Sequence, residues 1–207
     1  MEDLYKYEKE LWDKGLEYIG GVDEVGRGPL IGPVVTACVV LPKDFKLEGL
    51  TDSKKLTEKK REEYYEYIIN NCTAWATGEC SPAEIDEYNI LEATKIAMKR
   101  AIDKVNSKLK LDYILIDGNM KFDFDYKYES IVKGDAKSIS IAAASVVAKV
   151  TRDRMLIELD KKYPQYGFKD HKGYPTKKHI EAILEYGLID GYRKTFKPIN
   201  EIVAKKK

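Results

Sequence analysis

Two apolar runs near the start of the chain, "YIGGVDEVG" and "PVVTACVVLP", are separated by only a few residues rich in glycine and proline. Strands this close in sequence pair as an antiparallel hairpin. After them the pattern changes. "TDSKKLTEKKREEYYEYIINN" reads as a helix capped at Thr51, Ser53 or Thr57, and "TAWATGECS" as a third strand. A long helical stretch, "SPAEIDEYNILEATKIAMKRAIDKV", is capped at Ser81 or Asn89, and "LDYILIDGN" is a short apolar strand. A further strand runs up to Lys133, a turn falls at Gly134, and a helix is predicted from about Ser138 to Lys162. Its small residues, Ala142, Ala143, Ala144, Ser145 and Ala148, allow it to approach a sheet closely. A last helix, "TKKHIEAILEYG", ends at Gly187. Early strands followed by alternating strand and helix define an α/β protein with a mixed sheet and helices on its faces.

The 207 residues suffice for one domain with a sizeable core. Residues 1–15 pattern as a short amphipathic helix through Leu4, Tyr7 and Leu11, unlike a secretory signal. No apolar run approaches the length of a membrane span, so no membrane partner is expected. Cys38, Cys72 and Cys80 lack metal-ligand spacing and are expected to be free thiols in a cytoplasmic protein. The net charge of +1 hides an asymmetry: residues 133–207 hold 17 basic against 9 acidic side chains. A basic C-terminal third is compatible with a polyanionic partner, and equally with a lysine-rich solvated surface. The terminal Lys205 to Lys207 are expected to fray.

Charge is costly to bury in a strand, yet the first strand carries Asp23 and Glu24. Two more carboxylates follow apolar runs: Asp117 in "LIDGN" and Asp135 in "VKGDAK". Functional groups in α/β sheets gather where neighbouring strands end. Carboxylates gathered there repel one another unless a cation is held between them. An all-carboxylate set suits a hard ion such as Mg²⁺ or Mn²⁺, and two such ions can activate a water and stabilise the leaving oxygen of a phosphodiester. Adjacent strand residues face opposite ways, so a bulge or bend at Gly20, Gly21 or Gly26 is expected to re-aim one of the pair. Asp153 lies about 22 Å down the helix from Ser138 at 1.5 Å per residue, which excludes it if Asp135 is at the metal end.

The stretches "GVDEVGRGPLIGPVVTACVVLP", "DSKKLTEKKRE", "LIDGN", "KGDAKSISIAAASVVAKVTRDRM" and "YGFKDHKGYPTKKHIEAI" together resemble the bacterial type 2 ribonuclease H family, ribonuclease HII, from about Tyr18 to Pro198. The resemblance implies a ribonuclease H-like fold: a single domain over residues 1–207, with an N-terminal helix at 1–16 and a C-terminal helical extension from about 165. It implies an endoribonuclease that needs Mn²⁺ or Mg²⁺ and cleaves the RNA strand of RNA–DNA hybrids. It also implies incision 5′ of single ribonucleotides embedded in duplex DNA, leaving 3′-hydroxyl and 5′-phosphate ends. By the same match, Asp23, Glu24, Asp117 and Asp135 are the catalytic, metal-binding carboxylates, with Asp23 and Asp117 central. Gly26, Arg27 and Gly28 resemble a loop whose backbone lies against the ribose 2′-hydroxyl, the group that distinguishes RNA from DNA. Tyr174 is similar to a tyrosine that packs on the following deoxyribose. Lys54, Lys149, Arg152, Lys172 and Lys177 are candidate phosphate contacts. No N-terminal substrate-binding extension is expected, which with "GRGP" and Tyr174 points away from the type 3 relatives, and a monomer is expected.

Read from the residues alone, a nuclease or recombinase of the same superfold acting on DNA, and a non-catalytic nucleic-acid-binding module, stay open. A nucleotide-binding loop does not: neither a G-x-x-x-x-G-K-[ST] nor a G-x-G-x-x-G spacing is present.

Overall fold

The computed structural model describes residues 3–204. Met1 and Glu2 of the expected first helix, and the tail Lys205 to Lys207, lie outside the described residues. In chain order the elements are α1 (Lys6–Asp13), β1 (Ile19–Val25), β2 (Val34–Val40), α2 (Glu58–Asn71), β3 (Ala74–Cys80) and α3 (Pro82–Asn106). They continue with β4 (Tyr113–Asp117), β5 (Tyr128–Ile131), α4 (Ile139–Lys162), α5 (Phe168–His171), α6 (Lys177–Tyr186) and α7 (Ile199–Ala204). The predicted caps form. Ser81 makes a capping box with Glu84, Thr57 caps α2, and Ser138 caps α4. Both candidate caps of α3 are used, because the helix breaks at Asn89, whose side chain accepts the Leu91 and Glu92 N–H groups.

The sheet order is β3-β2-β1-β4-β5, with the β3–β2 and β2–β1 pairs antiparallel and the β1–β4 and β4–β5 pairs parallel. This is the mixed sheet that the order of elements predicts. The helix α3 covers one face through Val22, Ile114 and Ile116, while α4 covers the other, with α2 packed outside it. A separate apolar cluster around Phe168, Ile183 and Tyr192 joins the C-terminal helices to Leu30 and Ile31 of the β1–β2 loop.

Close seating of α4 depends on the strand as well as on the helix alanines. Gly21 of β1 lies so near the first turn of α4 that a Cβ there would overlap the Ser140 carbonyl and stand 2.5 Å from Ile141 N. The same turn is tied to α1. The buried Glu8 carboxylate accepts the Ser138 hydroxyl and the Ser140 N–H, and Ile139 N–H donates to Leu4 O at 2.8 Å. A carboxylate at a helix N-terminus satisfies donors that lack intrahelical partners. We therefore expect Glu8→Ala to cost about 2 kcal/mol in denaturant unfolding, since buried donors lose their acceptor. Glu8→Gln, whose amide oxygen can accept the same bonds, should stay near the parent at neutral pH.

Candidate active site

The site is built where β1 outruns its parallel neighbour. The β1–β4 ladder pairs Ile19 with Tyr113 through Val22 with Ile116, and one further step of that register sets Asp23 beside Asp117. Strand alternation gives both the face turned to α4. Beyond Val22, among the described residues, the ladder partner of β1 is β2, whose pairing runs unbroken from Gly20–Val40 to Val25–Val35. Of the expected bulge or bend, no bulge falls within Gly20–Val25, and of the three glycines Gly26 alone turns to a positive φ (+92°), after both carboxylates. Instead, Glu24 sits past the last ladder pair with β4, and its longer side chain reaches the same place from the opposite side of the strand. Carboxylate oxygens of Asp23, Glu24 and Asp117 all lie within 4.8 Å of one another.

The electrostatics are those of a site short of positive charge. Burial, then the charges of Glu24 and Asp117, hold the Asp23 carboxyl well above the ordinary range. Burial raises Glu24 too, against the nearby Arg27 guanidinium, which approaches its carboxylate at 3.5 Å. The second oxygen of Glu24, Oε2, is buried without a hydrogen-bond partner among the described residues. An orphaned buried oxygen beside two further carboxylates fits a divalent cation with oxygen ligands, and the absence of His or Cys disfavours zinc.

Asp135 stands in a short 3-10 turn, Gly134–Ala136, outside the three-carboxylate group. It is nonetheless adjacent: Gly134 N–H donates to Asp117 Oδ1 at 2.6 Å. Burial and the charges of Asp117 and Asp52 raise the Asp135 carboxyl. Lys54, in the 3-10 turn Ser53–Lys55, opposes those shifts in both Glu24 and Asp135, so its ammonium flanks the same acidic ground. Asp153 is elsewhere, ion-paired to Lys149 at 2.7 Å.

Gly26, Arg27 and Gly28 leave β1 directly beside this cluster. Gly26 adopts a φ of +92°, and a Cβ there would run into the Arg152 side chain, so the fold itself requires glycine. Gly28 is exposed, and a Cβ on it would stand 3.3 Å from the Tyr174 ring. The loop and Tyr174 thus form one exposed tip, joined by Leu30 N–H donating to Gly173 O at 2.8 Å.

Two histidines brace the Tyr174 segment, their rings stacked 4.2 Å apart. Gly173 N–H donates to His171 Nδ1, which assigns the ring proton to Nε2, hydrogen-bonded to Tyr166 O. His179 donates from Nδ1 to Tyr174 O and accepts the Tyr192 hydroxyl at Nε2, both at 2.8 Å. Burial depresses His179 from 6.5 to about 4. A group with a depressed folded pKa stabilises the fold above its unfolded value and loses that contribution as pH falls through the folded one. Between pH 6.5 and 4 the parent should lose on the order of 2–3 kcal/mol more stability than His179→Gln, read from thermal melts across that window.

One expected phosphate contact is corrected. Arg152 is fully buried and donates to the carbonyls of Ile31, Pro33 and Lys172, so no phosphate can reach it. Lys149 is occupied by Asp153, while Lys172 and Lys177 are at or near the surface. Sequence reading also missed Arg193, equally buried, and the Ser53–Ser145 hydroxyl pair (2.8 Å) beneath Asp23. "GYRKTF" gives no periodic or spacing signal that its arginine points inward.

An α/β sheet in the order 3-2-1-4-5 with carboxylates from β1 and β4 at its parallel ends defines a ribonuclease H-like nuclease. A family model described as ribonuclease HII matches residues 20–199. A ribonuclease HII of Bacillus mycoides is 55% identical over 203 residues, covering 98% of this chain and 78% of that protein. The crystal structure of ribonuclease H2 from Pyrococcus horikoshii superposes with a TM-score of 0.73 at 30% identity, over 91% of this chain and 98% of that one. Bst-RNase HIII in complex with Mn²⁺ shares the fold, with a TM-score of 0.69 at 19% identity over 92% and 70% of the two chains. This chain belongs to the ribonuclease HII family, metal-dependent endoribonucleases that act on RNA–DNA hybrids and incise DNA at ribonucleotides.

Proposed function

We propose that Asp23, Glu24, Asp117 and Asp135 are the catalytic carboxylates of this chain and that the Gly26–Gly28 loop, exposed at Arg27 and Gly28, selects the ribose together with Tyr174. In this reading the enzyme hydrolyses the RNA strand of RNA–DNA hybrids. It also incises 5′ of single ribonucleotides in duplex DNA, leaving 3′-hydroxyl and 5′-phosphate ends. The observation that carries it is the convergence of three carboxylates within 4.8 Å, directly before an exposed glycine loop. Mn²⁺ or Mg²⁺ held by these carboxylates would supply Lewis acidity and a more acidic water. Asp23 and Asp117, side by side on neighbouring strands, form the centre of the cage, Glu24 closes it from the far side, and Asp135 extends it beyond Asp117. Arg27 and Lys54 border the acidic ground with positive charge that can orient a phosphodiester. The exposed Gly28 backbone permits close approach of a 2′-hydroxyl, and the neighbouring Tyr174 ring offers a face for the next sugar. No helix among the described residues is long and apolar enough to cross a membrane. A single domain working as a cytoplasmic monomer completes the proposal.

The test is cleavage of three labelled duplexes: one ribonucleotide in DNA, an RNA–DNA hybrid, and DNA alone, each with Mg²⁺, Mn²⁺ or chelator. Cutting of the first two only, and only with metal, is expected; cutting of all-DNA duplex would replace ribose selection with general nuclease action. Tyr174→Ala should lower cleavage at the ribonucleotide-to-DNA junction roughly tenfold more than cleavage within an all-RNA strand, the loss expected when one stacking face goes. Equal losses on both would remove the ring from junction selection.

A further inference from the structure

Among the described residues, Arg152 and Arg193 are the largest fully buried side chains, and neither has a carboxylate hydrogen-bonded to it. A buried guanidinium is costly unless its donors are satisfied. Here backbone carbonyls do that, and all of Arg193's belong to one loop. Its Nε and Nη2 donate to Gly32 O at 3.0 and 2.9 Å, its Nη1 to Arg27 O at 3.0 Å, and its Nη2 also to Gly26 O at 2.6 Å. The Phe196 ring lies under the guanidinium, with its centroid 5.0 Å from Cζ. Arg152 grips the same loop at Ile31 O and Pro33 O and fastens it to the Tyr174 segment through Lys172 O.

In a trans peptide the carbonyl and the following N–H point in opposite directions. With the Gly26 and Arg27 carbonyls turned inward to Arg193, the N–H groups of Arg27 and Gly28 are turned away from it. Arg27 and Gly28 are the exposed residues of this loop, and neither N–H has a hydrogen-bond partner among the described residues. Two successive outward N–H groups make a small concavity for an oxygen. The adjacent positive charge polarises both peptides in the sense that strengthens those donors.

We infer that Arg193 is a positioning residue for ribose recognition: by holding the Gly26 and Arg27 carbonyls it aims the Arg27 and Gly28 N–H groups at the sugar oxygen. Lysine cannot substitute, because a point ammonium lacks the planar fork that spans three carbonyls. The inference rests on the ribose-facing reading of the loop proposed above.

The experiment compares parent, Arg193→Lys and Phe196→Leu on two duplexes of one sequence, carrying either a ribonucleotide or its 2′-deoxy-2′-fluoro analogue. Single-turnover rates on each give a discrimination ratio that is independent of the active fraction, and Mn²⁺ titration checks the carboxylate cage. The parent should prefer the ribonucleotide. Arg193→Lys should shrink the ratio roughly tenfold or more, mainly through the cleavage rate, because misaimed donors forfeit orientation. Mn²⁺ binding should be unchanged. Phe196→Leu, which loosens the guanidinium without removing a donor, should shift the ratio the same way by less; should Arg193→Lys not fold, this variant carries the test. A parent that cuts both duplexes alike overturns the ribose reading and this inference with it. A discriminating parent whose folded variants discriminate equally well overturns the role of Arg193 alone.

Discussion

Replacing Asp23 with asparagine is expected to reduce cleavage by roughly a thousandfold or more, the scale of losing a central ligand of a metal-activated hydrolysis. The substitution is nearly isosteric, and the amide oxygen can still accept the Glu24 N–H that now donates to Asp23 Oδ1 at 2.7 Å. What disappears is the charge. Burial and the repulsion of Glu24 and Asp117 hold the Asp23 carboxyl above its ordinary value. A raised folded pKa means the group favours folding below its unfolded value, and that contribution is lost as pH rises through the folded one. At neutral pH in chelator, Asp23 therefore opposes folding relative to a side chain that never ionises. Asp23→Asn should melt higher than the parent under those conditions while being inactive with metal. Activity close to the parent's would dismantle the carboxylate assignment. A lower melting temperature in chelator would contradict the electrostatic account of the cluster.

The second large effect is structural. Gly21→Ala should destabilise the protein by about 3 kcal/mol, near the upper end for overpacking, since the added methyl meets the Ser140 carbonyl rather than a flexible side chain. For a chain of this length that corresponds to a fall in melting temperature of roughly 6–12 °C. The helix start cannot withdraw cheaply: Glu8 and Leu4 hold it from the other side. The first turn of α4 also follows the Asp135 turn and precedes Ser145 beneath Asp23, so cleavage should drop together with stability. A melting temperature within a degree or two of the parent's would show that α4 is free to shift, and the close-approach argument would fail.

The contrast between these sites shows what sequence patterns can carry. The hairpin of β1 and β2, the later strand–helix alternation and the caps at Thr57, Ser81, Asn89 and Ser138 are local, and residue identity specifies them. Carboxylates at strand ends were legible because an apolar run followed by an acid is a local pattern too. How Asp23 and Glu24 share one point was not. That depends on where β4 stops relative to β1, a register between strands about ninety residues apart, and it made the expected bulge unnecessary. Arg152 illustrates the opposite failure. A basic residue in the charged stretch "KVTRDR" reads as surface charge, and only tertiary packing turns it inward to three carbonyls. Arg193 and Glu8 were invisible for the same reason: their partners lie 161 and 132 residues away, and nothing nearby marks them.

Calorimetric titration of Mn²⁺ into the chelator-stripped parent and into Asp117→Asn examines the carboxylate cage without relying on turnover. Saturable binding to the parent, displaced by excess Mg²⁺ and lost from Asp117→Asn, is the predicted result. Equal heats for the two proteins over the same concentration range would mean that these carboxylates do not hold the ion.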